Sequence, residues 1–179
     1  MSKKVLLKSR EIEIILHRLA CQLIENHHDF SNSVLIGLQP RGSLLAKRLS
    51  SILSISYQIK NINLGFLDIT FYRDDFRRRE APLEASHTKI DFLIEKKKVV
   101  LIDDVLFSGR SVRAGLTAVE SFGRPENVEL LVLIDRRFSR HLPIQPTYKG
   151  IQVDAINEEK VIVKWKELHS EDSIYIVNK

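Results

Sequence analysis

The sequence contains a single cysteine, Cys21, and this excludes an intramolecular disulfide framework. No apolar run approaches the length that a membrane-spanning helix requires. The lysines at positions 3 and 4 are followed by too short an apolar stretch for a signal peptide, and internal repeats, low-complexity segments and interdomain linkers are also absent. We therefore expect a cytoplasmic protein with no membrane association, in which residues 1–179 form a single domain.

Metal-ligand patterns are also missing from the sequence. The six histidines show neither the spacing of metal ligands nor a pattern of glutamate partners, so we expect most of them at the surface and no metal held directly by the protein. Cys21 stands among regularly spaced apolar residues, which favours a place in the core over a role as a nucleophile. The formal charge of +5 and the pI near 9.3 suit a phosphorylated substrate or RNA, although a generally basic surface would give the same numbers.

Apolar residues at helical spacing predict three helices. The first begins at Glu11 with Ser9 as its N-cap, the second covers 43–52, and the third covers 111–122 with a glycine C-cap. Residues 74–89 are polar and include three consecutive arginines, so we expect a mobile loop there.

Strands are predicted where apolar and β-branched residues run together. The segments are 33–38, one or two strands within 57–72, 99–102, 130–134, 161–163 and 174–177. Because strands that alternate with helices are typical of βα units, we predict an α/β fold with a central parallel sheet flanked by helices. A small C-terminal hood is expected from about residue 136 to residue 179.

The segment 99–111 carries the strongest chemical signal. It places two adjacent carboxylates and a Ser/Gly loop between a buried strand and a helix, in the order Val99-Val100-Leu101-Ile102-Asp103-Asp104-Val105-Leu106-Phe107-Ser108-Gly109-Arg110-Ser111. Backbone N–H groups and the helix dipole at such a loop favour a phosphate. Two carboxylates would repel a phosphate, unless the ligand also carries hydroxyl donors or a magnesium ion for them to bind. A ribose 5-phosphate carries such hydroxyls.

Two other loops follow strands in the same way, at residues 39–42 and 135–137. In an open parallel sheet, ligands bind beyond the carboxyl ends of the strands. These loops and the segment 103–111 are therefore expected to meet at one cleft.

The segment 99–111 resembles the thirteen-residue phosphoribosyl-pyrophosphate (PRPP) motif of type I phosphoribosyltransferases. Three further segments, 68–75, 122–125 and 133–136, resemble sequence motifs of the PyrR family, and they occur in the same order along the chain as in that family. Members of that family are uracil phosphoribosyltransferases, and many also act as RNA-binding attenuators of pyrimidine operons. The similarity covers nearly the whole chain, and it implies the type I phosphoribosyltransferase fold.

The resemblance implies a PRPP site on two loops. In the first, Asp103 and Asp104 contact the ribose hydroxyls and the loop from Ser108 to Ser111 holds the 5-phosphate. The nucleotide-binding candidates after the acidic pair are Val105, Leu106, Phe107, Ser108, Gly109, Arg110 and Ser111. The second is the pyrophosphate loop, which corresponds to Pro40, Arg41 and Gly42; proline replaces the usual threonine there and removes one N–H and one hydroxyl.

Arg73 joins Asp103 and Asp104 as a predicted catalytic group, because it lies on a loop that resembles the family's closing loop over the pyrophosphate. Residues 77–79 are weaker candidates on the same loop. The resemblance places Arg136 and the backbone of Val161 at the base, although Arg136 could equally form a surface salt bridge with its neighbour.

The implied reaction converts uracil and PRPP into UMP and pyrophosphate, with Mg²⁺ carried by PRPP near the acidic pair and no direct metal ligand. A purine base in place of uracil is a variant of this hypothesis. The alternative is a catalytically weak, nucleotide-sensing attenuator that binds pyrimidine operon mRNA and senses UMP through the same pocket. The family also implies a homodimer or a higher homo-oligomer.

An RNA surface in this family is basic and concave. The candidates in this sequence are Arg18, Arg41, Lys47, Arg140, His141 and Lys149. The sequence departs from the family's pattern nearby: Cys21 stands where attenuators carry histidine, the segment 137–141 is one residue longer, and 150–155 lacks the usual Lys-Asn-x-Pro-Thr-Ser run.

Overall fold

A computed structural model describes residues 3–74, 85–155 and 159–178. In these ranges the chain forms eight strands and three α-helices. In chain order they are β1 (Lys3–Lys8), α1 (Ser9–His27), β2 (Ser33–Leu38), α2 (Gly42–Ile55), β3 (Asn63–Leu67), β4 (Lys98–Leu106), α3 (Arg110–Glu120), β5 (Asn127–Arg136), β6 (Tyr148–Val153), β7 (Glu159–Lys164) and β8 (Ser173–Asn178). None of the described helices is both long and apolar enough to cross a bilayer.

The main sheet has five parallel strands in the order β3-β2-β4-β5-β6, which confirms the predicted α/β architecture. The two central strands, β2 and β4, are almost entirely apolar over the register that pairs Val34 with Val99 and Gly37 with Ile102. Continuous apolar runs of this kind suit a strand that is covered on both faces.

Helices cover both faces of the main sheet. On one face α1 and α2 pack over alternate strand residues such as Leu35, Val100 and Ile102. On the other face α3 packs over the intervening residues, which include Leu101 and Val132. Successive strand residues point to opposite faces, so one strand serves both layers of the core.

A second sheet is antiparallel and has the order β1-β8-β7. It continues the core under α1 and α2 through Leu7, Val161 and Ile174. Most of this sheet comes from the C-terminal region that was expected to form the hood. Its edge strand β1 comes from the N-terminal region, and the sequence patterns did not predict this strand.

Several element boundaries differ from the predictions. Ser9 is the first helical residue and not the N-cap; its hydroxyl donates to the carbonyl of Asp172, and the Glu11 carboxylate accepts the N–H of Lys8 at 2.8 Å. The region 57–72 contains one strand and a single 3-10 turn, and β6 lies where no strand was predicted. Helix α3 ends at Glu120, before the glycine that was expected as its cap.

Candidate active site

A cavity of about 660 Å³ opens at the carboxyl ends of the parallel strands. A smaller cavity of about 300 Å³ adjoins it, and the two share the lining residues Arg73, Asp103, Val105, Phe107 and Ser111. Every predicted nucleotide-site residue except Gly42 lines one or both cavities. The loops that follow parallel strands all lie at this edge of the sheet, so the topology brings together residues that are distant in the chain.

The smaller cavity is formed by the loop between β4 and α3. Gly109 precedes the first residue of α3 and has a φ of 89°, a left-handed conformation that L side chains rarely adopt. The first N–H groups of a helix have no partner within the helix, and the first residues of α3, Arg110 to Val112, line this cavity together with Ser108. This is the geometry of an anion site at a helix N-terminus.

Asp103 and Asp104 lie inside β4 and therefore point to opposite faces of the sheet. Asp103 lines both cavities, while Asp104 lines only the larger one and is 3 % exposed. Burial, together with the charge of Asp104, raises the pKa of Asp103 well above its ordinary value. Burial also raises the pKa of Asp104, against the opposing effect of the nearby Arg41 guanidinium.

The acidic pair fits a magnesium ion that arrives with its ligand. The Asp104 Oδ2 atom is buried and has no hydrogen-bond partner among the described residues, so one carboxylate oxygen is available to a ligand hydroxyl or a cation. No group of three or more His, Cys, Asp or Glu side chains in the described ranges could hold a metal. The remaining oxygens that Mg²⁺ requires would therefore come from the ligand and from water.

The loop after β2 contributes Gln39, Pro40 and Arg41 to the larger cavity, and the Gln39–Pro40 peptide bond is cis. Gly42, predicted as part of the same loop, does not line either cavity. Instead, a Cβ at this position would lie 2.1 Å from the carbonyl oxygen of Ile102, so the glycine allows α2 to pack against β4. The start of α2, next to Arg41, therefore lies against the backbone of Ile102 and Asp103.

Arg73 reaches the phosphate loop from the segment that follows β3. Its Nη1 atom donates to the Ser111 hydroxyl at 3.0 Å. Asp74 extends the contact through ion pairs with Arg110 at 3.2 Å and Arg113 at 3.3 Å on α3. The weaker candidates at 77–79 lie outside the described residues.

Arg136 and Val161 line the far end of the larger cavity. Arg136 is 4 % exposed and its guanidinium lies 4.2 Å from the centre of the Phe107 ring, so it is not the surface residue of a salt-bridge pair. Burial lowers the pKa of Arg136, against an opposing effect of Glu159. Glu159 and Lys160 also line this end and were not predicted, although they directly precede Val161 in the sequence.

The basic residues proposed for RNA do not form one surface within a single chain. Arg18 donates to backbone carbonyls of Lys149 and Gly150, at the β6 edge of the main sheet. The Lys47 ammonium lies 5.0 Å from the Phe66 ring, at the opposite β3 edge.

Arg140 and His141 lie instead beside the loop between β4 and α3. Arg140 donates to the carbonyl of Phe107 at 2.6 Å and to the buried carboxylate of Asp135, and His141 lines the phosphate cavity.

Comparisons with known proteins agree with this geometry. A family model described as a phosphoribosyl transferase domain matches residues 2–167. The Bifunctional protein PyrR of Gloeothece citriformis is 42 % identical over 96 % of both chains, and that of Clostridium novyi is 39 % identical over 99 % of this chain and 98 % of the relative.

Solved structures of hypoxanthine phosphoribosyltransferases share the fold. The Trypanosoma cruzi enzyme has a TM-score of 0.73 at 16 % identity over 98 % of this chain and 96 % of its own. The Staphylococcus aureus enzyme has a TM-score of 0.70 at 20 % identity over 98 % and 92 %. Fold, cavity and sequence similarity agree, and the chain belongs to the phosphoribosyltransferases and, among them, to the PyrR family.

Proposed function

We propose that the protein is a cytoplasmic uracil phosphoribosyltransferase that forms UMP and pyrophosphate from uracil and PRPP. The observation that carries this proposal is a pair of adjoining cavities that joins a phosphate loop, two carboxylates, the arginines Arg41 and Arg73, and an end lined by Arg136 and Val161. The reaction breaks the bond between ribose C1 and the pyrophosphate oxygen, forms a bond from C1 to uracil N1, and releases the proton from that nitrogen.

Substrate binding is assigned by charge and hydrogen-bonding type. The 5-phosphate accepts hydrogen bonds at the start of α3 and from Ser108 and Ser111. Asp103 and Asp104 accept hydrogen bonds from the ribose hydroxyls. The diphosphate extends toward Arg41 and Arg73, two of the cations that line the larger cavity.

Catalysis in this site is electrostatic. Departure of pyrophosphate leaves positive charge on the sugar and places negative charge on the leaving group. Arg41 and Arg73 stabilise the negative charge, while the buried carboxylates face the sugar. Magnesium bound to PRPP would add positive charge at the diphosphate.

The end of the larger cavity that Val161 lines suits the imide edge of uracil. Val161 lies on β7, an edge strand of the small sheet, so part of the strand's backbone N–H and C=O groups is left unpaired by the ladder. Such groups match the alternating donors and acceptors of uracil. Phe107 offers a ring to the base, with the Arg136 guanidinium held against it.

The test is UMP formation from PRPP and Mg²⁺ with uracil, compared with hypoxanthine, guanine and orotate. We expect uracil-selective turnover, a loss of at least about a hundredfold in Asp104→Asn, and wild-type turnover in the matched control Asp91→Asn, an exposed carboxylate. Turnover with a purine only would overturn the base assignment. Binding of UMP without turnover of any base would overturn the enzyme assignment and favour the nucleotide sensor.

We also propose that a homodimer or larger homo-oligomer regulates pyrimidine genes by UMP-responsive binding to their mRNA. The relatives' printed name, which calls them bifunctional, and the exposed cations at the β6 edge support this second activity. Binding to a leader hairpin should weaken steeply with salt, tighten with UMP, and weaken in Lys149→Gln. Binding that is indifferent to sequence and to UMP would overturn it.

A further inference from the structure

Asp68 holds together the two ends of the segment that carries Arg73. It directly follows β3, and the described chain resumes at residue 85 after Asp74. On the near side, its Oδ1 atom accepts hydrogen bonds from the N–H of Thr70 at 2.8 Å and from the Thr70 hydroxyl at 2.6 Å. On the far side, its Oδ2 atom accepts the N–H of Ser86 at 2.7 Å.

Two further bonds fix the far end of the segment to the sheet. The Thr88 hydroxyl accepts the N–H of Asp68 at 3.0 Å. The Gln39 side chain, from the pyrophosphate loop, donates to the carbonyl of His87 at 2.9 Å. The returning backbone is therefore tied both to the end of β3 and to the loop that carries Arg41.

The residues next to this junction form part of the cavity wall. Ile69, Thr70 and Arg73 all line the larger cavity. The Tyr72 N–H donates to the carbonyl of Ile69 at 3.0 Å, which closes a tight turn between Asp68 and Arg73. Because this turn is short, the orientation of Thr70 determines where Arg73 leaves the backbone.

We propose that Asp68 is a positioning residue for phosphoribosyl transfer, which acts by holding both ends of this segment so that Arg73 faces the phosphate cavity. The proposal rests on the proposed function and assigns a role to a residue outside the predicted site. A carboxylate is required because it accepts from both ends at once. An asparagine has one acceptor oxygen and would set an N–H₂ group against the N–H of the other end.

The test is a double-mutant cycle with Asp68→Asn and Arg73→Ala. We expect kcat/KM for PRPP to fall about tenfold in Asp68→Asn, with little change in the KM for uracil. In the Arg73→Ala background, Asp68→Asn should cause less than a twofold further loss, because Asp68 acts through Arg73. Asp91→Asn, on the same returning segment but outside the junction, should match wild type.

The outcomes separate this inference from the proposed function. The positioning role would be overturned if Asp68→Asn had the kcat/KM of an active wild type, or if the loss of kcat/KM in the double variant were the product of the two single losses. Either result would leave the enzyme assignment intact. If wild type shows no turnover, the same cycle is run on the calorimetric dissociation constant for PRPP with Mg²⁺, which tests the positioning role alone. Thr88→Val removes only the acceptor for the Asp68 N–H, so it should lower kcat/KM or the affinity for PRPP by less than Asp68→Asn does. Wild-type values for both variants would contradict the proposal.

Discussion

Asp103 and Asp104 are adjacent carboxyl groups whose pKa values both lie above the ordinary range, since burial and, for Asp103, the second carboxylate disfavour ionisation. A ligand that brings hydroxyl donors and a magnesium ion favours the ionised forms. Binding must therefore release a proton from the pair, and affinity must rise with pH until the free protein has lost that proton.

We predict that PRPP with Mg²⁺ releases up to about one proton on binding at pH values above 3.8, the ordinary pKa of an aspartate. Calorimetry in two buffers of different ionisation enthalpy measures this number directly. Asp103→Asn should release fewer protons, because it removes one of the two titrating groups. Equal binding enthalpies in both buffers across this range would contradict the prediction.

At the scale of single residues, the sequence was informative where chemistry and chain order coincide. The meeting of the acidic pair and the loop 107–109 at one cleft could be predicted because both lie at or just beyond the carboxyl end of a parallel strand. The place of Arg73 beside them was predicted from the resemblance to the PyrR family. The contact that Gly42 makes with β4 could not, since it depends on how closely α2 approaches the sheet. The approach of Glu159 to Arg136 depends on the placement of the small sheet, which sequence spacing does not encode.

At the scale of elements, Arg48 connects α2 to the segment between β7 and β8. Its guanidinium donates to Glu167 and to Asp172 at distances of 2.6 to 2.8 Å, and it lies 4.5 Å from the centre of the Trp165 ring. Burial disfavours its charge, but the two carboxylates outweigh that effect and raise the pKa of Arg48. The small sheet, whose strand β7 carries Val161, is therefore fixed to α2, the helix that follows the loop 39–41.

We predict that Arg48→Met lowers the free energy of unfolding by about 2–3 kcal/mol, because it leaves the carboxylate of Asp172 largely buried without its cation. Urea denaturation measures the change. The matched control is Arg137→Met, which breaks an equally short ion pair with Asp154 that is about half exposed and should change stability little. Equal effects of the two substitutions would show that burial does not decide the strength of these pairs.

Element prediction was limited by pairing partners that are remote in sequence. Strand β1 has the pattern Lys-Lys-Val-Leu-Leu-Lys, too short an apolar run to indicate a strand, and it is stabilised by pairing with β8 at the other end of the chain. Strand β6 contains Gly150, which usually weakens a strand. Here a Cβ would lie 2.4 Å from the carbonyl oxygen of Leu133, so glycine is required for β6 to approach β5.

At the scale of the whole molecule, the two ends of the parallel sheet have different roles. The carboxyl ends carry the cavity, and the amino ends are closed by a buried polar network. There the Nδ1 atom of His27 lies 2.8 Å from the Ser33 hydroxyl, and its Nε2 atom lies 3.1 Å from both Glu129 and the Tyr148 hydroxyl. Although histidines were expected at the surface, His27 is 5 % exposed. A Ser-His-Glu arrangement buried this deeply joins α1, β2, β5 and β6 and has no access to substrate.

This network makes stability depend on pH. Burial lowers the pKa of His27 below 6.5, and the opposing charge of Glu129 does not restore it. As pH falls through 6.5 the unfolded chain binds a proton at this position and the folded chain does not, so folding weakens until the folded pKa is reached. We predict a loss of up to about 1.4 kcal/mol per pH unit below pH 6.5, measured by urea denaturation between pH 7.5 and 5.5. His27→Gln should be less stable at pH 7.5 and lose this slope, while the exposed control His28→Gln should retain it. A slope that survives in His27→Gln would assign the pH dependence to another group.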